Sequence, residues 1–175
     1  MTGGGTHWVF GYGSLMWNPG FPHAGAQPAR ISGFHRKLCV YSSHYRGTPE
    51  KPGLVFGLDR GGSCTGMAFE VNAPDWPGAW DYLRQREQVT MVYREVFCPV
   101  KLRDGRTVKA LTYVVDRLHA QCAVGLTDQQ IVAFVRQGEG LSGRNTDYVR
   151  NTHANLASLS IADPSLARII ALLEA

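Results

Sequence analysis

Through the first part of the chain, apolar residues come in short runs and two-residue alternations, the signature of strands packed on one face. His7–Tyr12 is the first candidate strand. Arg30–Tyr41 is a longer one, with Ile31, Phe34, Leu38 and Val40 directed inward. Leu54–Leu58 follows, bounded by Pro52-Gly53 and Arg60-Gly61-Gly62, and Thr65–Val71 then places Met67, Phe69 and Val71 on one face. Between the second and third strands, Gly47, Pro49 and Pro52 mark Ser43–Gly53 as a surface loop. The period changes at Pro74-Asp75-Trp76-Pro77. Trp76, Ala79, Trp80 and Leu83 recur at helical spacing up to about Gln88, with Asp75 placed to cap the first turn and Pro77 tolerated early in a helix. Strands return at Tyr93–Leu102 and Thr107–Val115, joined through the hairpin signal Asp104-Gly105. Beyond Gly125 the pattern is helical. Thr127-Asp128-Gln129-Gln130 has the form of a capping box, a second helix runs from about Asn145 to Ser158, and Pro164–Leu173 forms a third.

Strands first, one internal helix and a helical tail predict an α+β protein, a small curled mixed sheet or β-barrel with helices packed on it. The 175 residues, 44% apolar and 18% charged, suit a single domain over 1–175 with residues 1–6 as a flexible lead-in. The lead-in has neither the basic start nor the apolar core of a secretion signal, and there is no apolar run of spanning length. A cytoplasmic protein is expected, with no membrane partner.

Cys39, Cys64, Cys98 and Cys122 show no C-x-x-C pairing and read as reduced thiols. His119 and Cys122 share a helical spacing without a second ligand pair, so no metal site is assigned. The net charge is a mild +4. Arg30, His35, Arg36, Lys37, His44 and Arg46 interleave with Phe34, Tyr41 and Tyr45, a pattern open to three readings: a nucleic-acid track, a solvated strand face or a steering surface for a small anion. No nucleic-acid motif accompanies it, and the last two readings rank higher.

Two places carry candidate chemistry. In Val9-Phe10-Gly11-Tyr12-Gly13-Ser14-Leu15-Met16-Trp17, an apolar strand breaks into a glycine-interleaved loop that can aim several backbone N–H groups at one oxygen. Met16 stands where a dinucleotide fingerprint needs its third glycine, and no Gly-Lys-Ser/Thr follows, which excludes both common phosphate loops. The other place is Glu87, at the end of the helix before Tyr93. A helix C-terminus disfavours an anion, and burial would add to the effect, so the carboxyl is a general acid/base candidate; its plain alternative is a solvated partner of Arg84 or Arg86. Ser14 lacks the G-x-S-x-G context of a nucleophile, and Cys64 reads as a buried thiol. Tyr93, Tyr113 and Tyr148 are pocket-lining candidates whose alternative is core packing.

Together these segments resemble the ChaC-like γ-glutamylcyclotransferases. The Phe10–Trp17 loop is similar to the family's Y-G-S-L loop with its trailing tryptophan. Gly33-Phe34-His35-Arg36, Gly61–Phe69, Tyr82–Glu87 with Tyr93, Ala110–Val114 and Gly140–Tyr148 resemble further blocks in the same order. The resemblance implies a small barrel flanked by helices and no metal or organic cofactor. It implies cleavage of γ-glutamyl peptides, chiefly glutathione, to 5-oxoproline and Cys-Gly. Glu87 would be the catalytic acid/base, and Tyr12, Gly13, Ser14, Leu15, Tyr93, Tyr113 and Tyr148 would bind substrate. Many relatives have glycines before the tyrosine where this chain has Met91 and Val92, a departure that bears on substrate preference. The alternatives are a cyclotransferase for other γ-glutamyl amines and a non-catalytic γ-glutamyl or small-anion binder.

Overall fold

The computed structural model describes residues 5–175, so most of the expected lead-in, residues 1–4, lies outside the described residues. Five strands form a closed barrel in the order β1-β3-β2-β4-β5. They are β1 (Thr6–Gly11), β2 (Gly25–Ser42), β3 (Gly53–Asn72), β4 (Tyr93–Leu102) and β5 (Thr107–Val115). β1 lies antiparallel to β3, with Phe10 opposite Ala68, and parallel to β5, with Val9 opposite Leu111. β4 and β5 form the expected hairpin, and Gly105 at its tip takes φ +94°, a conformation that suits glycine. Closure removes the free sheet edges that an open five-stranded sheet would expose.

By internal contacts the chain divides into two units, residues 1–36 with 58–115, and residues 37–57 with 116–175. The first holds β1, β4, β5 and the greater part of β3. Its core is made by Val9, Phe10, Ile31, Leu58, Val71, Leu83, Val100 and Leu111, each essentially without solvent contact. The helix α1 (Trp76–Glu87) belongs here and buries Trp76, Ala79 and Leu83 of the stripe its sequence spacing implies, with Trp80 half-buried. The second unit carries α2 (Asp128–Gln137), α3 (Asn145–Ser158) and α4 (Pro164–Glu174), with a two-stranded ribbon of β6 (Glu139–Gly140) and β7 (Gly143–Arg144). Ile131, Val135, Val149, Leu156, Leu166 and Ile169 pack its interior. Thr127 and Gln130 form the reciprocal capping box, and Asp163 caps α4 through Leu166 N–H. Buried Asn145 accepts from Leu54 N–H and donates to Leu54 C=O, both at 2.8 Å.

Three expectations need correction. Leu54–Leu58 and Thr65–Val71 are one strand, β3. Gly61 (φ +100°) and Gly62 (φ +65°) bend it without ending it, since glycine takes these angles inside a paired strand. β2 starts earlier than Arg30, at Gly25. Asp75 makes no side-chain cap; its carbonyl accepts from Ala79 N–H at 3.0 Å.

Candidate active site

The loop that leaves β1 is built by close approach. A Cβ on Gly11 would come within 2.9 Å of Leu15 Cβ, and one on Gly66 of β3 would strike the Gly11 carbonyl and the Phe10 ring. No other residue type fits either place. Ser14–Met16 turn as a single 3-10 turn, closed by Met16 N–H to Gly13 C=O (2.9 Å). The first N–H groups of such a turn have no partner within the turn itself, which leaves the amides of Ser14 and Leu15 to be satisfied from outside it. Space is open around Gly13. Tyr12 and Leu15 are buried and anchor the loop in the barrel, leaving Gly13 and Ser14 as its accessible part.

Arg36, placed by its sequence in a basic surface run, is buried instead. Its Nε donates to Tyr12 C=O (2.6 Å) and one Nη to Thr65 C=O (2.7 Å), tying the loop to β3. A guanidinium so engaged is a structural fork, not a docking point for a ligand carboxylate. Its loss from the surface also breaks the continuity of the basic run, in which Arg30 donates to Ser63 Oγ and His35 Nδ1 lies 2.9 Å from Gly61 C=O.

α1 brings the acidic partner. Glu87 is its last residue, with a side chain 17% exposed. Burial pushes the Glu87 carboxyl above the ordinary glutamate range, and the neighbouring Arg86 guanidinium opposes the shift. Arg86 connects the two parts of the site. Its Nε lies 3.6 Å from Glu87 Oε1, one Nη donates to Ser14 Oγ (2.8 Å), and the other donates to Asn18 C=O (2.7 Å). With Ser14 Oγ accepting from Arg86, the serine proton is left to donate to a ligand. Glu87, Arg86 and the glycine loop therefore belong to one cluster.

Glu95 of β4 is a second carboxylate, and sequence reasoning passed over it. It accepts from Trp80 Nε1 (2.7 Å), Arg84 Nε (3.1 Å) and the Tyr113 hydroxyl (2.8 Å). Burial alone would push its carboxyl up; the three donors together hold it below the usual range. Tyr113 lies directly opposite Glu95 in the β4–β5 ladder and is fully buried. Burial first, then its bond to Glu95, drives the phenol well above its ordinary value. The one Tyr113 proton is committed to Glu95, so toward any ligand this hydroxyl could only accept. The available signal was strand alternation: Glu95 shares a face of β4 with Tyr93, to which the family resemblance already pointed.

Tyr93 opens β4, and its carbonyl accepts from Gln88 Nε2 (3.3 Å) across residues 89–92. Within that segment Met91 is exposed at φ +60°, left-handed backbone that favours glycine, and Val92 is buried. Tyr148 lies in the second unit, where its hydroxyl accepts from Phe56 N–H (3.1 Å) and Arg46 stands over its ring. His119 Nδ1 accepts from Gln121 N–H, and among the described residues no group of three or more His, Cys, Asp or Glu side chains is disposed to hold a metal.

A closed five-stranded barrel with flanking helices sets the class of fold, and comparison with known proteins gives the family. The chain belongs to the ChaC-like protein family, whose model matches residues 7–175. It is 32% identical over 162 residues to a glutathione-specific γ-glutamylcyclotransferase of Escherichia coli, covering 93% of this chain and 70% of that one. It is 31% identical over 147 residues to human glutathione-specific γ-glutamylcyclotransferase 1, covering 81% of this chain and 66% of that one. A crystal structure of a γ-glutamyl cyclotransferase specific to glutathione from yeast superposes with a TM-score of 0.87 at 20% identity, covering 97% of this chain and 96% of that chain, and has the same fold.

Proposed function

We propose that this protein cleaves glutathione to 5-oxoproline and Cys-Gly, with Glu87 as the proton carrier. In a γ-glutamyl amide the substrate's own α-amine attacks its own γ-carbonyl, forming the ring C–N bond, and the original amide C–N bond then breaks. No enzyme nucleophile is required, because holding the glutamyl group folded supplies proximity. The α-amine has an ordinary pKa of about 8 and is largely protonated at neutral pH. A carboxylate must take a proton from this nitrogen and return one to the departing cysteinyl nitrogen. Glu87 is suited to both steps, because burial raises its proton affinity toward that of the amine. Ser14 N–H, Leu15 N–H and the Ser14 hydroxyl bind the substrate carboxylate or the developing oxyanion, which preorganised donors stabilise most. On this reading Tyr12 holds the loop, Gly13 leaves room for the ligand and Tyr93 contributes to the pocket wall.

The observation that carries the proposal is the buried Glu87 carboxyl held next to the Arg86 guanidinium that grips Ser14. The names of the curated relatives point to the same substrate. Among the described residues no helix is long and apolar enough to cross a membrane. Among the described residues the four cysteines form no disulfide, in keeping with reaction in the cytoplasm, where thiols stay reduced.

The test is incubation with glutathione beside γ-glutamyl-alanine, with 5-oxoproline and Cys-Gly measured. Release from glutathione and none from γ-glutamyl-alanine is expected. Glu87→Gln should bind glutathione and release no 5-oxoproline. Near-wild-type turnover by that variant would remove Glu87 from the mechanism, and preference for γ-glutamyl-alanine would replace the substrate.

A further inference from the structure

Glu95 joins α1 to the barrel wall. Two of its donors, Trp80 Nε1 and Arg84 Nε, lie one turn apart on α1, and the third, the Tyr113 hydroxyl, comes from the strand opposite. At 3.6 residues per turn, Trp80, Arg84 and Glu87 fall within about 60° of one another around the helix. Glu95 therefore holds the same stripe of α1 that carries Glu87. The stripe is stiffened from its own side, since the Arg84 guanidinium lies over the Trp80 ring (4.4 Å) and Trp80 packs edge-on against Phe97 (5.7 Å). β4 is a fixed reference, paired with β5 along its length from Tyr93 opposite Val115 to Lys101 opposite Thr107.

We infer that Glu95 is a positioning residue for catalysis: its bonds to Trp80 and Arg84 set the rotation of α1 and thereby the aim of the Glu87 carboxyl. Helix geometry makes this matter. A carboxyl at the rim of a helix roughly 10–12 Å across moves by about 1 Å when the helix rolls by about 10°. A displacement of that size at a reacting group lowers rate by up to about a hundredfold. Glu95 also has reason to be charged. A carboxylate accepts from three donors at once, whereas a neutral amide turns N–H groups of its own toward Arg84, Trp80 or Tyr113 and loses at least one of them.

The inference rests on Glu87 as the proton carrier, and the experiment separates the two. Glu95→Gln, Trp80→Phe and Glu87→Gln are assayed on glutathione beside wild type for kcat and KM, with kcat scaled to the folded fraction measured by circular dichroism. Trp80→Phe keeps an aromatic ring at this place and deletes the Nε1 donor together with part of the indole's packing. The expected result is a fall in kcat of about tenfold or more for Glu95→Gln and a smaller fall for Trp80→Phe, with KM within about twofold, because binding lies with the glycine loop. Loss of stability with unchanged kcat per folded molecule in both variants reduces Glu95 to a structural residue and overturns the inference. A rise in KM at constant kcat overturns it as well. An active Glu87→Gln overturns the functional reading and, with it, the inference.

Discussion

Arg36→Lys isolates the fork that fixes the glycine loop. Arginine reaches two buried carbonyls from one planar group, Tyr12 C=O from Nε and Thr65 C=O from Nη, at 2.6 and 2.7 Å. Lysine keeps the charge but has a single nitrogen on a flexible stem, so at least one carbonyl loses its charged donor inside the protein. A hydrogen bond to a charged group contributes about 1.5–3 kcal/mol, and a buried acceptor left unpaired incurs a comparable penalty. Taking one lost bond, and about 2–4 °C per kcal/mol for a protein of this size, the melting temperature should fall by about 3–12 °C. The effect reaches the site, because Tyr12 C=O is the last fixed point before the Gly13–Leu15 amides. Once it is free, kcat/KM on glutathione should drop by about tenfold or more. Thermal melts by circular dichroism and initial rates of 5-oxoproline release read both quantities. A melting temperature within about 1 °C of wild type, with unchanged kcat/KM, would refute the fork as the element that sets the loop.

Three further outcomes follow from the geometry. Because the folded protein holds the Glu87 proton more tightly than the unfolded chain, Glu87 costs no stability below about pH 4.3 and costs progressively more as pH rises toward its folded value, at about 1.4 kcal/mol for each tenfold gain in proton affinity. Glu87→Gln should therefore melt higher than wild type at pH 7.5 and alike at pH 4; a gap that widens toward acid would reverse the sign and the argument. Gly66→Ala drives a Cβ into the Gly11 carbonyl and the Phe10 ring, and should cost about 1–3 kcal/mol in chemical denaturation together with most of the activity; a stable, active variant would show that the loop has slack. Met91→Gly relieves a left-handed residue whose strain is roughly 1–2 kcal/mol, partly offset by glycine's greater freedom when unfolded, so a rise in melting temperature of about 1–4 °C is expected, and a fall would mean that the exposed Met91 side chain makes a contact of its own.

The elements themselves were largely legible because their signals are local. The β4–β5 hairpin, α1, the capping box of α2 and the span of α3 each follow from residues within a turn or two of one another. What escaped was decided by contacts distant in sequence. Gly61-Gly62 has the composition of a turn and becomes a bend in one strand, because the barrel supplies pairing on either side of it. Arg36 has the composition of a surface cation and is buried, because Tyr12 and Thr65 present carbonyls that no local pattern announces. Of the chemical residues, Glu87 and the Tyr12–Leu15 loop stood out through helix-end electrostatics, glycine spacing and family resemblance. Arg86 as the bridge to Ser14 did not, since 72 residues separate the two partners.

The two glutamates near the end of α1 show how one small barrel can shift like groups in opposite directions. Both are mostly withdrawn from water, and burial alone would raise both. Glu95 receives three donors and is held as a stable anion, a poor base because giving up its charge breaks charge-assisted bonds to Trp80, Arg84 and Tyr113. Glu87 faces the edge of Arg86 at 3.6 Å, while Arg86 makes its shorter bonds to Ser14 and Asn18. Burial therefore outweighs the opposing Arg86 charge, and the Glu87 carboxyl is pushed above the ordinary glutamate range. On the proposed mechanism the division of labour lies in how donors are distributed: moving one good donor onto Glu87 should lower 5-oxoproline release, even with every atom of the glycine loop unchanged.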